Sequence, residues 1–386
     1  MKMKKGSLLK FFICLAILGL TAPAYAWSPK MSINDNIWAQ LGVLGQFIFE
    51  AKEDNAGNFT DTTMAGDKWS NSFHVRRFRI LLQGSVDKHI QFLIDTDVPN
   101  AGKRADAGAA MPPGEEFILN DGFVDFNIFP ELRIEVGRIL VPFSYENKQS
   151  AAQLLGLDYN LNALKIPSLA KDLAAWRDDG VEIRGILSTK EGFLAGKSID
   201  YRVGAFTGQR DNSKNPDDNL RYTGHVMVNL ASNQPGWFYS NNPLCPKLVI
   251  RSIGFGFDTQ KDGYEKDKSY NAWVIDAQIE QPVSDGRSIS ASGGYYNWKH
   301  ANNDFTGKTM FLQVGFLATP NIQPIVRLEH QDPDEGKTLD TYHIGFNYLI
   351  NNHNANIKAD YAINDRMVGA DNKKKDAFRI QVQFLF

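Results

Sequence analysis

The sequence predicts an all-β chain: a transmembrane antiparallel β-barrel of about 16 strands with one loop folded inward. Three observations carry this: the C-terminal stretch, a leader at the N-terminus, and a train of short alternating segments between them. Residues 377–386 read AFRIQVQFLF. Phe378, Ile380, Val382, Phe384 and Phe386 share one face of a strand, and Arg379, Gln381 and Gln383 share the other, with Leu385 the exception. Period two with aromatics at both ends suits a strand that faces lipid on one side and a wet interior on the other. A soluble sandwich also needs one apolar face, so this strand must be weighed with the rest of the chain.

The leader narrows the choice. Lys2, Lys4 and Lys5 precede a mostly apolar run over 8–20, and Ala24-Tyr25-Ala26 forms a small-residue cleavage site. This is the pattern of a secretory signal peptide. The expected organisation is a signal peptide over 1–26 and a single barrel domain over 27–386. Cys14 falls inside the leader, which leaves Cys245 alone in the mature chain and excludes an internal disulfide. Closure of a sheet would supply the stapling that an exported chain often takes from cystines.

Composition agrees. No apolar run after residue 26 is long enough for a spanning helix. Phe, Tyr and Trp number 25, 13 and 7, yet mean hydropathy is −0.33. Strands that are only half apolar reconcile the two. Removing Lys2, Lys4, Lys5 and Lys10 leaves 38 basic against 44 acidic residues, a net charge near −6. No basic tail or patch points to nucleic acid.

The alternating segments run, in order, over 37–50, 73–84, 90–97, 118–128, 132–140, 180–187, 199–207, 220–230, 248–257, 270–280, 289–298, 309–318, 323–330, 341–350, 355–363 and 378–386. Each is roughly ten residues, the length that crosses a bilayer when tilted. Their connectors alternate in length. Tight turns fall at 85–89, 129–131, 282–287, 319–322 and 351–354. Longer polar ones fall at 51–71, 99–116, 209–219, 259–269, 299–307 and 364–376. Short periplasmic turns and long outer loops give this asymmetry. Two connectors break it: 188–198 and 231–247 belong to the turn end, yet both are long.

The stretch 144–176 is too long for a loop without purpose. Ala151, Ala152, Leu154, Leu155, Leu157, Ala163, Leu164, Leu169, Ala170, Leu173, Ala174 and Trp176 give it helical character and a buried side. The expectation is a segment that dips into the barrel and narrows it, with Lys148, Lys165, Lys171 and Arg177 as constriction residues. An outer cap or a subunit contact is the alternative.

Several motifs then resemble one family. Val75-Arg76-Arg77-Phe78-Arg79-Ile80 followed by Gly84 is similar to the opening hairpin of the phosphate-selective porins O and P. Val136-Gly137-Arg138 followed by Val141-Pro142-Phe143 and Glu146 resembles a second stretch of that family. Arg177-Asp178-Asp179-Gly180-Val181, Tyr201-Arg202-Val203-Gly204, 324–329 and Gly345-Phe346-Asn347-Tyr348 continue the likeness in order. The resemblance implies a sixteen-stranded outer-membrane porin, usually a homotrimer in lipid and lipopolysaccharide, with an arginine-lined route for small anionic solutes such as phosphate.

Strand parity turns Arg77, Arg79, Arg133, Arg184, Arg202, Arg221, Arg327, Lys358 and Arg379 inward. Of these, Arg77, Arg79, Arg133, Arg184, Arg202, Arg327 and Arg379 are the candidate pore-lining and anion-binding residues. A guanidinium is permanently charged and presents forked donors to phosphate or carboxylate oxygens. Parity also turns Asp95, Asp125, Glu135, Glu182, Asp200, Asp276, Glu280, Glu329 and Asp360 inward. Arg133 with Glu135, Arg184 with Glu182, Arg202 with Asp200, and Arg327 with Glu329 lie two apart, so pairing within the wall competes with solute contact. Arg76, Arg77 and Arg79 have no acid beside them in sequence. No metalloprotease, nucleophile-elbow or P-loop motif is present, so no enzyme is expected. No metal site and no cofactor is expected either. A non-selective diffusion pore and a structural sheath for a partner protein stay open as alternatives.

Overall fold

The computed structural model describes residues 30–53, 69–103, 116–167, 176–188, 191–192, 195–240, 242–244, 248–284, 286–301, 305–368 and 373–386. Its strands are β1 Lys30–Asn34, β2 Ile37–Glu53, β3 Trp69–Asp87, β4 Ile90–Asp97, β5 Ile118–Phe129, β6 Leu132–Leu140, β7 Arg177–Ser188, β8 Ser198–Phe206 and β9 Arg221–Asn229. Then follow β10 Ile250–Glu265, β11 Lys268–Pro282, β12 Ser288–Lys299, β13 Gly307–Leu317, β14 Ile322–Pro333, β15 Leu339–Asn351, β16 Ala355–Val368 and β17 Lys373–Leu385. From β2 to β17 each strand pairs antiparallel with the next, and β17 closes the ring on β2 with Phe384 opposite Gly45. Sixteen strands thus form a closed barrel, the number the alternation predicts. Closure leaves no sheet edge in the apolar layer, where an unpaired backbone group costs several kcal/mol, roughly.

β1 is additional. It folds back on the start of β2, with Lys30 opposite Gln40. It takes up the edge of β2 just beyond the point where Val43 N donates to the Phe386 carbonyl at 2.8 Å.

Period two survives in the strands because one face meets lipid. Along β11, Trp273, Ile275 and Ile279 are exposed while Val274, Asp276, Gln278 and Glu280 are buried. Val326 and Ile344 are 55 and 61% exposed and sit opposite each other on β14 and β15, which a lipid contact makes favourable.

Two expectations change. Strands outrun ten residues: β2, β3 and β10 have 17, 19 and 16. The polar connectors 259–269 and 364–376 are therefore largely strand, drawn out as hairpins beyond the apolar band. The second change concerns 144–176, which has no helix among its described residues. Several of its backbone carbonyls accept hydrogen bonds from wall side chains instead, which competes with helix formation there. The expected signal peptide over 1–26, Cys245 and Lys171 lie outside the described residues.

Candidate functional site

The barrel encloses two inserted stretches of its own chain. The first leaves β6, and its neck is tied by Val141 N donating to the Trp176 carbonyl at 2.9 Å. Residues 141–167 then cross the lumen. The Ala151 carbonyl accepts from Gln46 Nε2 at 3.1 Å, and the Ala152 carbonyl from Gln383 Nε2 at 3.0 Å. Lys358 Nζ donates to the carbonyls of Leu154 and Gly156 at 2.6 and 2.9 Å, and Asn347 Nδ2 to that of Leu155 at 3.0 Å. Thr309 Oγ1 donates to the Ala163 carbonyl at 2.5 Å.

An apolar anchor holds this insert to one wall. Phe143, Ala163, Leu164 and Ile166 belong to one cluster with Val274, Tyr296, Trp298 and Phe311 of β11–β13. The Phe143 and Trp298 ring centroids are 5.3 Å apart. Gly256 makes room for this approach, since a Cβ there would run into the Phe143 carbonyl. Gly315 does the same for the Leu155 side chain.

The second insert comes from the opposite end, between β9 and β10. Gln149 and Tyr239 meet as bridge partners, with Tyr239 N donating to the Lys148 carbonyl and Ser150 N to the Tyr239 carbonyl, both at 3.0 Å. The Tyr145 and Tyr239 rings stack at 5.2 Å. Trp237 Nε1 donates to Asp125 Oδ2 at 2.6 Å.

Charges on β5–β8 form rows. Arg133 lies opposite Arg184, and Arg184 opposite Arg202. The neighbouring row is acidic, with Asp125 opposite Glu135 and Glu135 opposite Glu182. Like charges directly opposed repel, so pairing runs between rows. Arg133 reaches Asp125 at 2.6 Å, and Arg184 reaches both Asp125, at 2.8 Å, and Glu135. Arg202 reaches Glu182 and Asp200, each at 3.4 Å. The pairings within one strand expected for Arg133 with Glu135 and Arg184 with Glu182 are thus displaced across strands, while Arg202 with Asp200 and Arg327 with Glu329, at 3.2 Å, form as expected.

Among the described residues, two cavities are lined by charged inward side chains of the wall. The outer one, about 400 Å³, lies at the long-loop end against Lys52, His74, Arg76, Lys103, Asp158, Arg327, Glu329, His343, Asp360, Asp365, Arg366 and Arg379, with Glu50 beside them. The inner one, about 290 Å³, lies at the turn end against Glu131, Arg133, Arg184, Asp200, Arg202 and Pro235. They share no lining residue; the two inserts stand between them.

Arg77 and Arg79 do not reach either cavity. Arg77 Nη2 binds Asp158 at 2.7 Å, and Arg79 binds Asp97 and Asp95 at 2.9 and 3.2 Å. Acids absent from their own strand arrive from β4 and from the insert. Arg76 turns into the outer cavity and holds the other oxygen of Asp158 at 2.6 Å. Burial alone would raise the Asp158 carboxyl, but Arg76 and Arg77 outweigh it and hold it well below the usual carboxylate range. Arg379 meets Glu50 at 2.7 Å and Asp365 at 2.8 Å.

Of the insert cations, Lys148 is buried on Glu182, at 2.7 Å, and on the Leu140 carbonyl, at 2.7 Å. Burial lowers its ammonium pKa and Glu182 opposes that. It braces the insert from within rather than edging a cavity. Lys165 lies 5.2 Å from the Phe305 ring centre, and Arg177, at the start of β7, holds Asp121 at 2.9 Å. Glu146 accepts from Gln149 and twice from Asn160, and burial pushes its carboxyl up to about 7. Sequence reasoning missed Asp158, Trp237 and Tyr239; the excess length of 231–247 was the one signal that pointed to the last two.

Residues 52–235 match the family model of the phosphate-selective porins O and P, the family whose motifs the sequence resembles. No curated protein matches the chain. Among solved structures, the OmpF porin of Salmonella typhi, in complex with daunomycin, aligns at TM-score 0.59 with 10% identity, over 93% of this chain and 100% of that one. The outer-membrane channel DcaP of Acinetobacter baumannii aligns at 0.54 with 13% identity, over 92 and 99%. An anion-selective porin from Comamonas acidovorans aligns at 0.53 with 10% identity, over 90 and 99%. At such identities the likeness speaks for the fold.

Proposed function

We propose that this outer-membrane barrel of the porin type is a diffusion channel for small polar solutes with a modest preference for anions such as phosphate. The observation that carries the reading is the charge balance of the outer cavity. Among the described lining residues, Lys52, Arg76, Lys103, Arg327, Arg366 and Arg379 face Glu50, Asp158, Glu329, Asp360 and Asp365, six cations against five carboxylates. A surplus of one cation in a low-dielectric wall raises the local anion concentration. The carboxylates already hold the guanidiniums, so an oxyanion gains only by exchanging partners, which keeps binding weak enough for exit.

A sheath that houses a partner protein is disfavoured, because the chain's own inserts occupy the lumen. The apolar outer band suits lipid and lipopolysaccharide, and we extend the reading to a homotrimer, which the family likeness implies. The test is reversal potential in a planar bilayer under a KCl gradient, followed by added phosphate. A small anion-side potential with partial block of chloride current by phosphate supports the reading. A cation-side potential, or none together with no block, leaves a general pore.

A further inference from the structure

Residues 234–240 form a closed unit. Ser240 N donates to Gln234 Oε1 at 2.6 Å, and Gln234 Nε2 returns to the Ser240 carbonyl at 3.1 Å. The tip of this unit offers backbone oxygens to two of the three aligned arginines. Arg202 donates to the carbonyls of Gly236 and Trp237 at 2.8 and 3.0 Å, and Arg184 to that of Gly236 at 3.3 Å. The carbonyls sit where the oxygens of a bound oxyanion would sit.

We propose that residues 234–240 are a displaceable stopper of the channel, released when an oxyanion takes the guanidinium donors that these carbonyls occupy. The inference rests on the channel reading above. Three observations support it. The two cavities are separate chambers, and the stopper fills the junction with the other insert. Its hold combines polar contacts from Arg184, Arg202 and Asp125 with a few aromatic ones, Trp237 on Phe123 and Tyr239 on Tyr145, whereas the other insert sinks Phe143, Ala163, Leu164 and Ile166 into the broad apolar cluster on β11–β13. A charged oxygen makes a stronger bond to guanidinium than a neutral carbonyl, so the exchange runs in favour of the anion. Arg133, Arg184 and Arg202 stand directly opposite one another, an arrangement that an anion between them relieves.

The experiment uses the full-length barrel in planar bilayers with Cys245→Ser, Gln149→Cys and Tyr239→Cys. These last two are bridge partners, a placement within disulfide reach. The oxidised protein, its disulfide confirmed by mass, is expected to conduct about tenfold less than the same protein after reduction. A second variant replaces 234–240 with Gly-Gly and is expected to conduct well above wild type under oxidising and reducing conditions alike. In wild type, inorganic phosphate at the turn end is expected to lengthen open time even as it lowers the chloride current through each open channel, and the shortened variant to show no lengthening.

Equal conductance of oxidised and reduced forms would overturn the stopper while leaving the channel standing. Open time indifferent to phosphate would overturn release by oxyanion. Silence of wild type, reduced and shortened forms together would overturn the channel reading itself.

Discussion

Along β11–β13 the inward positions toward the loop end hold Val274, Tyr296, Trp298 and Phe311; along β6–β8 the inward positions toward the turn end hold Arg133, Glu135, Glu182, Arg184, Asp200 and Arg202. Both walls alternate with period two and both show lipid the same kind of outer face. The first grips residues 141–167 through apolar contact, and the second keeps charge and leaves a cavity at the turn end. A barrel's alternation therefore sets which residues face in, and the chemistry of those residues decides whether a wall holds chain or borders a route.

The contrast can be broken first at its apolar side. Trp298→Ala removes the ring that stacks on Tyr296 and meets Phe143. A buried Trp→Ala change costs about 3–5 kcal/mol. The insert should come loose, seen as new protease cleavage within 141–167 and a larger conductance, with the barrel intact. The outer face gives the control for the alternation. Val326→Arg, on the lipid side of β14, should destabilise the folded barrel by about 2–4 kcal/mol in denaturant titrations in lipid. The neighbouring inward Arg327 shows that the same residue type is accommodated one position away.

A pH scan sharpens the account of the insert. Glu146 has its carboxyl raised to about 7, first by burial, from a usual value of 4.5. A raised carboxyl means the folded form holds the proton more tightly than the unfolded one. Its contribution to stability is thus fully present below about 4.5 and is lost as pH rises through about 7. Conductance noise from the insert should increase between pH 5 and 8, and Glu146→Gln should flatten that rise. The smallest effect is expected at Arg133→Gln. This side chain is 18% exposed and shares Asp125 with Arg184, so ion preference should shift by about 1 kcal/mol or less.

Much of the barrel was legible in the sequence because lipid enforces alternation on the outward face across the apolar band. The bounds of β4 and β6 match the predicted 90–97 and 132–140. Strand ends were less legible, since beyond the lipid polar residues such as Thr259 and Asn271 pair across the ladder with no apolar side chain to mark them. The inward fold of 144–176 was legible from its apolar residues; its lack of helix was not, because the competing donors Gln46, Lys358, Asn347 and Gln383 come from four distant strands. Arg77 and Arg79 looked free of acids for the same reason. Asp158, Asp95 and Asp97 reach them only once register and insert are known.

Asp158 is where the central claim is most exposed, because it holds both Arg76, which lines the outer cavity, and Arg77, buried behind it. Reversal potential of wild type and Asp158→Asn, measured under one KCl gradient, tests it directly. The account predicts a modest anion preference in wild type and a clearly larger one in the variant, as the guanidiniums lose their carboxylate. An unchanged potential, or a shift toward cations, would contradict the view that paired arginines at this cavity set the channel's preference.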